Sequence, residues 1–200
     1  FTDRSLYPGY VSGLQPHFSQ NWFSYISDDD ELKKMDAKGK EVVLLTLAEL
    51  NTALSSAGAA EVKYFPEYSW VNDSKIRVID DNKWVEVDVT SKKAEVKNSW
   101  NKDAQNLDLS PEKYMAAYTI ENNLFVSVAG AEKAITSEKD KGVVCGQTVH
   151  RNEFGISKGI FWSPKGNKIA FYRMDETMVT DYPLVNINTR IAEVENSKYP

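Results

Sequence analysis

Four segments of the chain begin in a similar way and alternate short apolar runs with turn residues. They lie near residues 18–46, 68–96, 109–136 and 161–200, with starts roughly 40–50 residues apart. Apolar-polar alternation bounded by turn residues predicts short β-strands. A meander this small cannot bury both faces alone and must stack on its neighbours. The repeat therefore predicts an all-β chain, a partial β-propeller of about four blades of antiparallel strands.

The second and third repeats carry the clearest strand and turn signals. The predicted strands of the second repeat are Lys75–Ile79, Lys83–Val89 and Ala94–Val96, with turns at Asp80-Asp81-Asn82 and Ser91-Lys92. The third repeat has turn signals at Glu121-Asn122 and Ala129-Gly130. Ser110-Pro111 and Ser163-Pro164 head the third and fourth repeats, where the second has Trp70-Val71-Asn72-Asp73. Shared punctuation at these places supports one architecture repeated along the chain.

Two segments interrupt the strand pattern. Residues 46–58 predict one short helix between blades, because Thr46 and Glu49 have capping-box spacing and Gly58 can end the helix. Residues 137–160 are longer than a turn requires and are interpreted as an insert arm. Long inserts between repeats tend to carry function.

Composition excludes several classes of function. The 24 Lys and Arg residues against 29 Asp and Glu give a net charge of −5, and no basic block is present, so nucleic-acid binding is not expected. The single cysteine, Cys145, cannot form an internal disulfide, and His17 and His150 form no metal-ligand pattern. We expect no metal, no cofactor and no membrane span.

One short motif suggests a different chemistry. Gly155-Ile156-Ser157-Lys158-Gly159 fits G-x-S-x-G, the nucleophile elbow of serine hydrolases. An elbow needs a strand before the serine and a helix after it. Pro164 opposes a helix here, and a polar run precedes the motif. The match is therefore interpreted as accidental, and no catalytic residue is predicted in this chain.

The segment "NEFGISKGIFWSPKGNKIAFYRMDETMVTDYPLVNI", Asn152 to Ile187, carries a family resemblance. Its glutamate followed by G-x-F-W-S-P-x-G, I-A-F-x-R-x-D-E and a later Y-P resembles the N-terminal β-propeller region of bacterial dipeptidyl peptidase IV-type serine exopeptidases, in the prolyl oligopeptidase superfamily. The "LTLAELNTAL" stretch and the final "KYP" also fit this family.

The resemblance implies a two-part enzyme, with an eight-bladed propeller followed by an α/β-hydrolase domain that holds a Ser-Asp-His triad. Residues 1–200 would then be a propeller fragment, with the hydrolase domain absent and the chain inactive alone. The parent would be a periplasmic or extracellular bacterial protein that removes X-Pro or X-Ala dipeptides. Its partners would be peptides with a free N-terminus and the missing C-terminal domain. Exposed sheet edges would also permit a homodimer.

The resemblance also implies a substrate-binding site on the arm. Glu153 occupies the position of the acid that binds the free amine of the substrate, and Asn152 stands where many members carry a second glutamate. Some members hold the substrate carbonyl with a propeller arginine, for which Arg77, Arg151 and Arg173 are candidates by type only; a structural ion pair is the expected role of Arg173. Phe161 and Trp162 are interpreted as core residues.

A second hypothesis belongs to another class. The chain could be a stand-alone β-propeller that binds protein partners and has no catalytic role. The gene beyond residue 200 discriminates between the two, because a G-x-S-x-G between strand and helix, with Asp and His further on, would favour the enzyme.

Overall fold

The computed structural model describes residues 12–17, 21–111, 113–149 and 153–198. The chain forms two compact units, Phe1–Lys102 and Asp103–Pro200. Each unit is built from antiparallel strands that follow one another along the chain.

The first unit holds two four-stranded antiparallel sheets, each a simple meander. The first sheet consists of β1 (Ser12–Pro16), β2 (Trp22–Ile26), β3 (Glu31–Asp36) and β4 (Glu41–Thr46). The second consists of β5 (Tyr68–Trp70), β6 (Lys75–Asp80), β7 (Lys83–Asp88) and β8 (Lys93–Ser99). The three strands predicted for the second repeat are thus confirmed, within one to three residues at their ends.

The predicted turns of the second repeat are confirmed, and each contains a residue with left-handed backbone. Asp81, between β6 and β7, has φ 48°, and Lys92, before β8, has φ 57°. In the first sheet, the acidic run between β2 and β3 ends at Asp30, whose φ is 57°. Short polar side chains such as Asp visit this region more readily than branched ones.

One face of each sheet in the first unit lines a shared core. Ile76 and Val78 of β6 alternate with charged neighbours and are buried, at 0% and 1% exposure. Leu32 and Leu45 of the first sheet belong to the same cluster and are fully buried. Burial of each such side chain stabilises the fold by about 1.5–3 kcal/mol. The core therefore holds the two small sheets together, as the repeat pattern predicted.

The predicted helix is present as α1, Leu47–Ser56. The Thr46 hydroxyl accepts a hydrogen bond from the Glu49 amide at 3.2 Å, and the Glu49 carboxylate accepts one from the Thr46 amide at 2.9 Å. This confirms the capping box. Gly58, just beyond the helix, has φ 74°, as expected of a residue that ends a helix. Leu50 and Leu54 point from α1 into the shared core.

A chain of buried hydrogen bonds also joins the two sheets. The Trp70 indole donates to the Ser24 hydroxyl at 2.8 Å, and Ser24 pairs with the Tyr68 hydroxyl at 2.7 Å. Tyr68 in turn donates to the carbonyl of Gly13 at 2.8 Å. Since each donor finds an acceptor, the hydrogen bonds at this seam offset the cost of removing its polar atoms from water.

The second unit contains one four-stranded sheet and three two-stranded ladders, all antiparallel. The sheet consists of β9 (Gln105–Leu109), β10 (Met115–Ile120), β11 (Asn123–Val128) and β12 (Ala131–Ala134). The ladders pair β13 (Val143–Cys145) with β16 (Arg173–Asp175), β14 (Ile160–Trp162) with β15 (Ile169–Phe171), and β17 (Asp181–Asn186) with β18 (Glu193–Lys198).

The core of the second unit joins its sheet to the ladders. Ala117 and Leu124 come from the sheet, Val143 and Cys145 from β13, and Ile160 from β14. Cys145 is free and fully buried, so it behaves as a small apolar side chain. The all-β class and the four-stranded antiparallel meanders confirm the predicted partial-propeller fold.

The capping box predicts a measurable local stability. Thr46→Ala removes the hydroxyl that satisfies the Glu49 amide, so the free energy of unfolding should fall by about 1 kcal/mol. Thr46→Ser keeps the hydroxyl and should lose much less. Urea unfolding of the 200-residue chain, followed by tryptophan fluorescence, measures both. An equal loss in the two variants would contradict the assignment.

The buried tyrosine predicts an alkaline instability. Burial raises the pKa of Tyr68 from 10.0 to about 12, although the hydrogen bond with Ser24 lowers it. Folding therefore favours the neutral phenol, and the stability it contributes is complete below pH 10 and lost as the pH rises towards 12. Burial and the hydrogen bond to Glu41 also raise the pKa of Tyr25 to about 12.

We expect each single variant, Tyr68→Phe and Tyr25→Phe, to lose part of the decline in unfolding free energy between pH 10 and pH 12, and the double variant to lose most of it. Urea unfolding at stepped pH measures this slope. A Tyr68→Phe slope equal to that of the parent chain would rule out the buried phenol as its source.

Candidate functional site

Within the insert predicted at residues 137–160, Val143–Cys145 forms core strand β13, so the segment that projects as the arm leaves the core only after β13 and returns to it at β14. Its neck is closed by a hydrogen bond from the Thr148 hydroxyl to the Ile156 carbonyl at 3.0 Å. One residue nearer the core, Gln147 donates through its side-chain amide to the carbonyl of Glu121 at 2.8 Å. The two sides of the neck are therefore joined to each other, and the outgoing side is also joined to the hairpin turn between β10 and β11.

The neck depends on a glycine. A Cβ placed on Gly159 would lie 2.2 Å from the carbonyl carbon and oxygen of Gln147. Backbone atoms cannot give way as a flexible side chain can, so only glycine allows the two strands of the neck to approach this closely. The carbonyl of Gly159 accepts a hydrogen bond from the Tyr172 amide at 3.0 Å, which joins this end of the neck to the residue between β15 and β16.

An ion pair ties the returning side of the arm to β9. The Lys158 ammonium lies 2.8 Å from Oδ1 of Asp108, and the Trp162 indole donates to the backbone carbonyl of Asp108 at 3.0 Å. Asp108, Lys158 and Ser157 line a cavity of about 210 Å³ beside this ion pair. These contacts span 50 and 54 residues of sequence, and no short-range pattern could have predicted them.

The tip of the arm carries the predicted amine-binding acid. Glu153 begins a single 3-10 turn, Glu153–Gly155, but its side chain lies outside the described part of the structure. Asn152, Arg151 and His150 also lie outside the described residues. Next to the acid, Phe154 adopts φ 55° and ψ 21° and its side chain is 91% exposed.

The two described arginine candidates have different surroundings. The Arg173 guanidinium lies 2.9 Å from Glu138 and 3.8 Å from Asp175. The hydrogen bond and charge of Glu138 raise the pKa of Arg173. The predicted structural ion pair is confirmed, with Glu138 as an additional partner. Arg77, in the first unit, lies 5.0 Å over the ring of Trp84.

The core interpretation is wrong for Phe161. In β14, Ile160 and Trp162 face the core of the second unit, so the intervening Phe161 points the other way and is 38% exposed. It packs edge to face against Tyr172, with ring centroids 5.6 Å apart. Trp162 is half-buried and packs on the core, as predicted.

Sequence reasoning also missed a second pocket, which lies in the first unit. It has a volume of about 360 Å³ and lies between the end of β1 and the turn after β5. His17 forms one wall, stacked on Trp22 at 3.9 Å, with its Nε2 3.3 Å from Asp73. The signal available in the sequence was the pair of tryptophans at Trp22 and Trp70, each near a strand end.

A family model described as the dipeptidyl peptidase IV N-terminal region matches residues 77–200, well over half of the chain. The chain belongs to this family. The matched region includes the whole second unit and therefore the arm, its neck and the ion pair to β9. The resemblance found in the arm sequence is thereby confirmed.

Two solved structures of dipeptidyl peptidases resemble the chain over 96% of its length. A protein of Bacteroides ovatus assigned as a dipeptidyl aminopeptidase IV is 38% identical, with a TM-score of 0.78. Porphyromonas gingivalis dipeptidyl peptidase 4 is 18% identical, with a TM-score of 0.55, and supports the fold alone. The chain spans 27% of the first protein and 29% of the second.

The local structure of this dipeptidyl peptidase IV N-terminal region also tests whether Ser157 lies in a nucleophile elbow. Ser157 is exposed and lies in the irregular segment between the 3-10 turn and strand β14, which begins three residues later. A nucleophile elbow has the opposite order, strand, serine, helix. The G-x-S-x-G match is therefore an accident of the neck, whose glycine has the steric role described above.

No group of three His, Cys, Asp or Glu side chains that could hold a metal ion occurs in residues 12–17, 21–111, 113–149 and 153–198. Over the same ranges, no helix has both the length and the apolar character to cross a membrane.

The backbone around Ser157 predicts a chemical outcome. A fluorophosphonate probe should not label the 200-residue chain, because Ser157 lacks the strand–turn–helix setting that activates an elbow serine. Intact-mass spectrometry after incubation measures the adduct, with an active serine hydrolase labelled in parallel. An adduct that forms on the parent chain and is lost in Ser157→Ala would restore the nucleophile hypothesis.

Proposed function

We propose that this chain is the part of a dipeptidyl peptidase that binds the free N-terminal amine of peptide substrates, with Glu153 as the acceptor. The observation that carries the proposal is the clamped arm. Glu153 begins the turn that lies between Thr148 and Ile156, the two residues that close the neck. An acid on a closed loop is held at a set distance from the body of the fold.

The chemistry of an amine explains why an acid is needed. An N-terminal ammonium offers three donors and a positive charge, and a carboxylate accepts from it without competing donors. Charge-assisted hydrogen bonds of this kind contribute about 1.5–3 kcal/mol each. A fixed distance from this carboxylate to a nucleophile measures two residues from the N-terminus, which gives the cleavage pattern of a dipeptide-releasing exopeptidase rather than that of an endopeptidase.

The reaction itself belongs to a part of the protein outside these residues. We propose an α/β-hydrolase domain with a serine nucleophile that releases X-Pro or X-Ala dipeptides, while the propeller limits access to unfolded peptide ends. Membership of the family and the small share of each relative that the chain covers support this division. Cleavage by a separate domain also agrees with the exposed, unactivated setting of Ser157.

Asn152 gives this arm one fewer charge than the family pattern. Its side-chain carbonyl can accept a hydrogen bond from the substrate ammonium but adds no Coulomb attraction. Glu153 therefore supplies most of the affinity for the amine. Adding a charge through Asn152→Asp should lower KM for substrates with a free amine.

The test of amine recognition uses the full-length enzyme. Glu153→Gln keeps the size of the side chain and removes its charge, so KM for a chromogenic X-Pro substrate with a free amine should rise at least about tenfold. Turnover should fall much less, because the variant changes a group far from the bond that is cleaved. Steady-state kinetics separate the two constants.

The matched control is Glu67→Gln, at an exposed acid of the first unit. It should leave KM and turnover unchanged. The proposal fails if the unmodified enzyme cleaves N-acetylated and free-amine substrates alike, or if Glu153→Gln has the KM of the parent.

Two expectations for the whole protein stay predictions. We propose export to the periplasm or cell surface, which cell fractionation with compartment markers tests. We also propose that the protein associates as a homodimer, which sedimentation velocity over a range of protein concentrations tests.

A further inference from the structure

Two kinds of contact hold the arm: contacts within its neck, and contacts from the neck to the body of the second unit. The Thr148–Ile156 hydrogen bond and the Gly159–Gln147 approach are internal to the neck and keep its two sides together. The Gln147–Glu121 hydrogen bond holds one side to the turn after β10. On the other side, the Lys158–Asp108 ion pair is the side-chain contact to β9.

Asp108 is placed to resist movement of this contact. Its backbone carbonyl accepts from the Trp162 indole at 3.0 Å, so Asp108 is joined to β14 by main chain and to the arm by side chain. The Asp108 side chain is 17% exposed and that of Lys158 is 52% exposed. Oδ2 of Asp108 is buried and has no hydrogen-bond partner among the described residues. Lys158 is thus the main compensation for a largely buried carboxylate.

We propose that the Asp108–Lys158 ion pair holds the returning side of the arm in position against β9. Through that position it sets the KM of the enzyme for peptides with a free N-terminus. This inference rests on the proposed amine-binding role of Glu153. Asp108 and Lys158 are positioning residues and do not touch the substrate. Their effect is on the position of Glu153.

The separation of contacts predicts which constant changes. When Lys158 is replaced, the internal neck contacts remain, so the arm stays closed. The hydrogen bonds from Gln147 to Glu121 and from Tyr172 to Gly159 also remain, so the base of the neck keeps its place, and what is lost is the side-chain attachment of the returning side to β9. Glu153 then moves with the arm as a unit, while the reacting centre in the hydrolase domain is not altered. Small displacements of a binding group weaken its hydrogen bonds to a substrate. The loss should therefore appear in KM, with turnover nearly unchanged.

The experiment compares four variants of the full-length enzyme with a free-amine X-Pro chromogenic substrate. Lys158→Met removes the charge and keeps most of the side-chain length, and KM should rise about threefold to fivefold, in the range of a half-exposed ion pair. Lys158→Arg keeps the charge and should retain the parent KM within about twofold. Asp108→Asn should raise KM as Lys158→Met does, and the double variant should be no worse than either single one.

The matched control is Lys165→Met, at an exposed lysine in the turn after β14. Its KM should equal that of the parent. Thermal unfolding of each variant separates positioning from a general loss of structure, since a merely structural role would lower the unfolding midpoint and turnover together. Non-additivity in the double variant would show that the two side chains act through each other.

Glu153→Gln, measured alongside, distinguishes the two ways of failing. If Glu153→Gln raises KM while Lys158→Met and Asp108→Asn leave it unchanged, the ion pair has no positioning role and amine recognition stands. If Glu153→Gln also leaves KM unchanged, amine recognition by this arm fails and the positioning role fails with it. Equal increases for Lys158→Met and Lys158→Arg would also overturn the role of the charge.

Discussion

The need to bury one face of each small sheet governs this fold. A four-stranded meander of three- to seven-residue strands has too few residues to cover its own apolar face, so its stability comes from the neighbour it packs against. In the first unit, Leu32 and Leu45 of one sheet share a core with Ile76 and Val78 of the next. In the second unit, the sheet shares its core with Ile160 of the ladder that follows the arm. The arm therefore leaves and re-enters a packed body at fixed points.

Two tryptophan side chains make the same kind of hydrogen bond at the polar edge of this packing. Trp70 ends β5 and donates its indole hydrogen to Ser24 of the preceding sheet, and Trp162 ends β14 and donates to the carbonyl of Asp108 in the sheet before it. Both tryptophans are half-buried, with the indole nitrogen directed to a partner. An aromatic ring with one polar atom suits this position, because it fills the apolar gap and satisfies an acceptor in one side chain. The repeated sequence pattern thus reflects a repeated contact.

Local signals in the sequence predicted the local structure well. The strands around Lys75 and Lys83, the left-handed turns, and the capping box of Thr46 with Glu49 depend on residues within a few positions of one another, where period and turn chemistry are informative. The side of β14 on which Phe161 lies could not be read in the same way, since three residues contain too little alternation to define a face. The partners of Lys158 and Arg173 lie 50 and 35 residues away. Such contacts follow from the packing of strands, which a single sequence does not specify.

In the proposed amine-binding role, a single acid at the tip of the arm makes the rigidity of the neck more consequential. Two adjacent carboxylates can share an ammonium, so a shift that weakens one contact can strengthen the other. Asn152 occupies the neighbouring position, so under the proposal Glu153 alone supplies the charge, and an error in its position would have no compensation. The neck has the features that this situation requires: a close backbone approach that only Gly159 permits, and an ion pair whose acid is largely buried. Under the proposed function, tight attachment at the base of the arm compensates for the missing second charge at its tip, because a well-fixed single carboxylate does not need a neighbour to replace a lost contact.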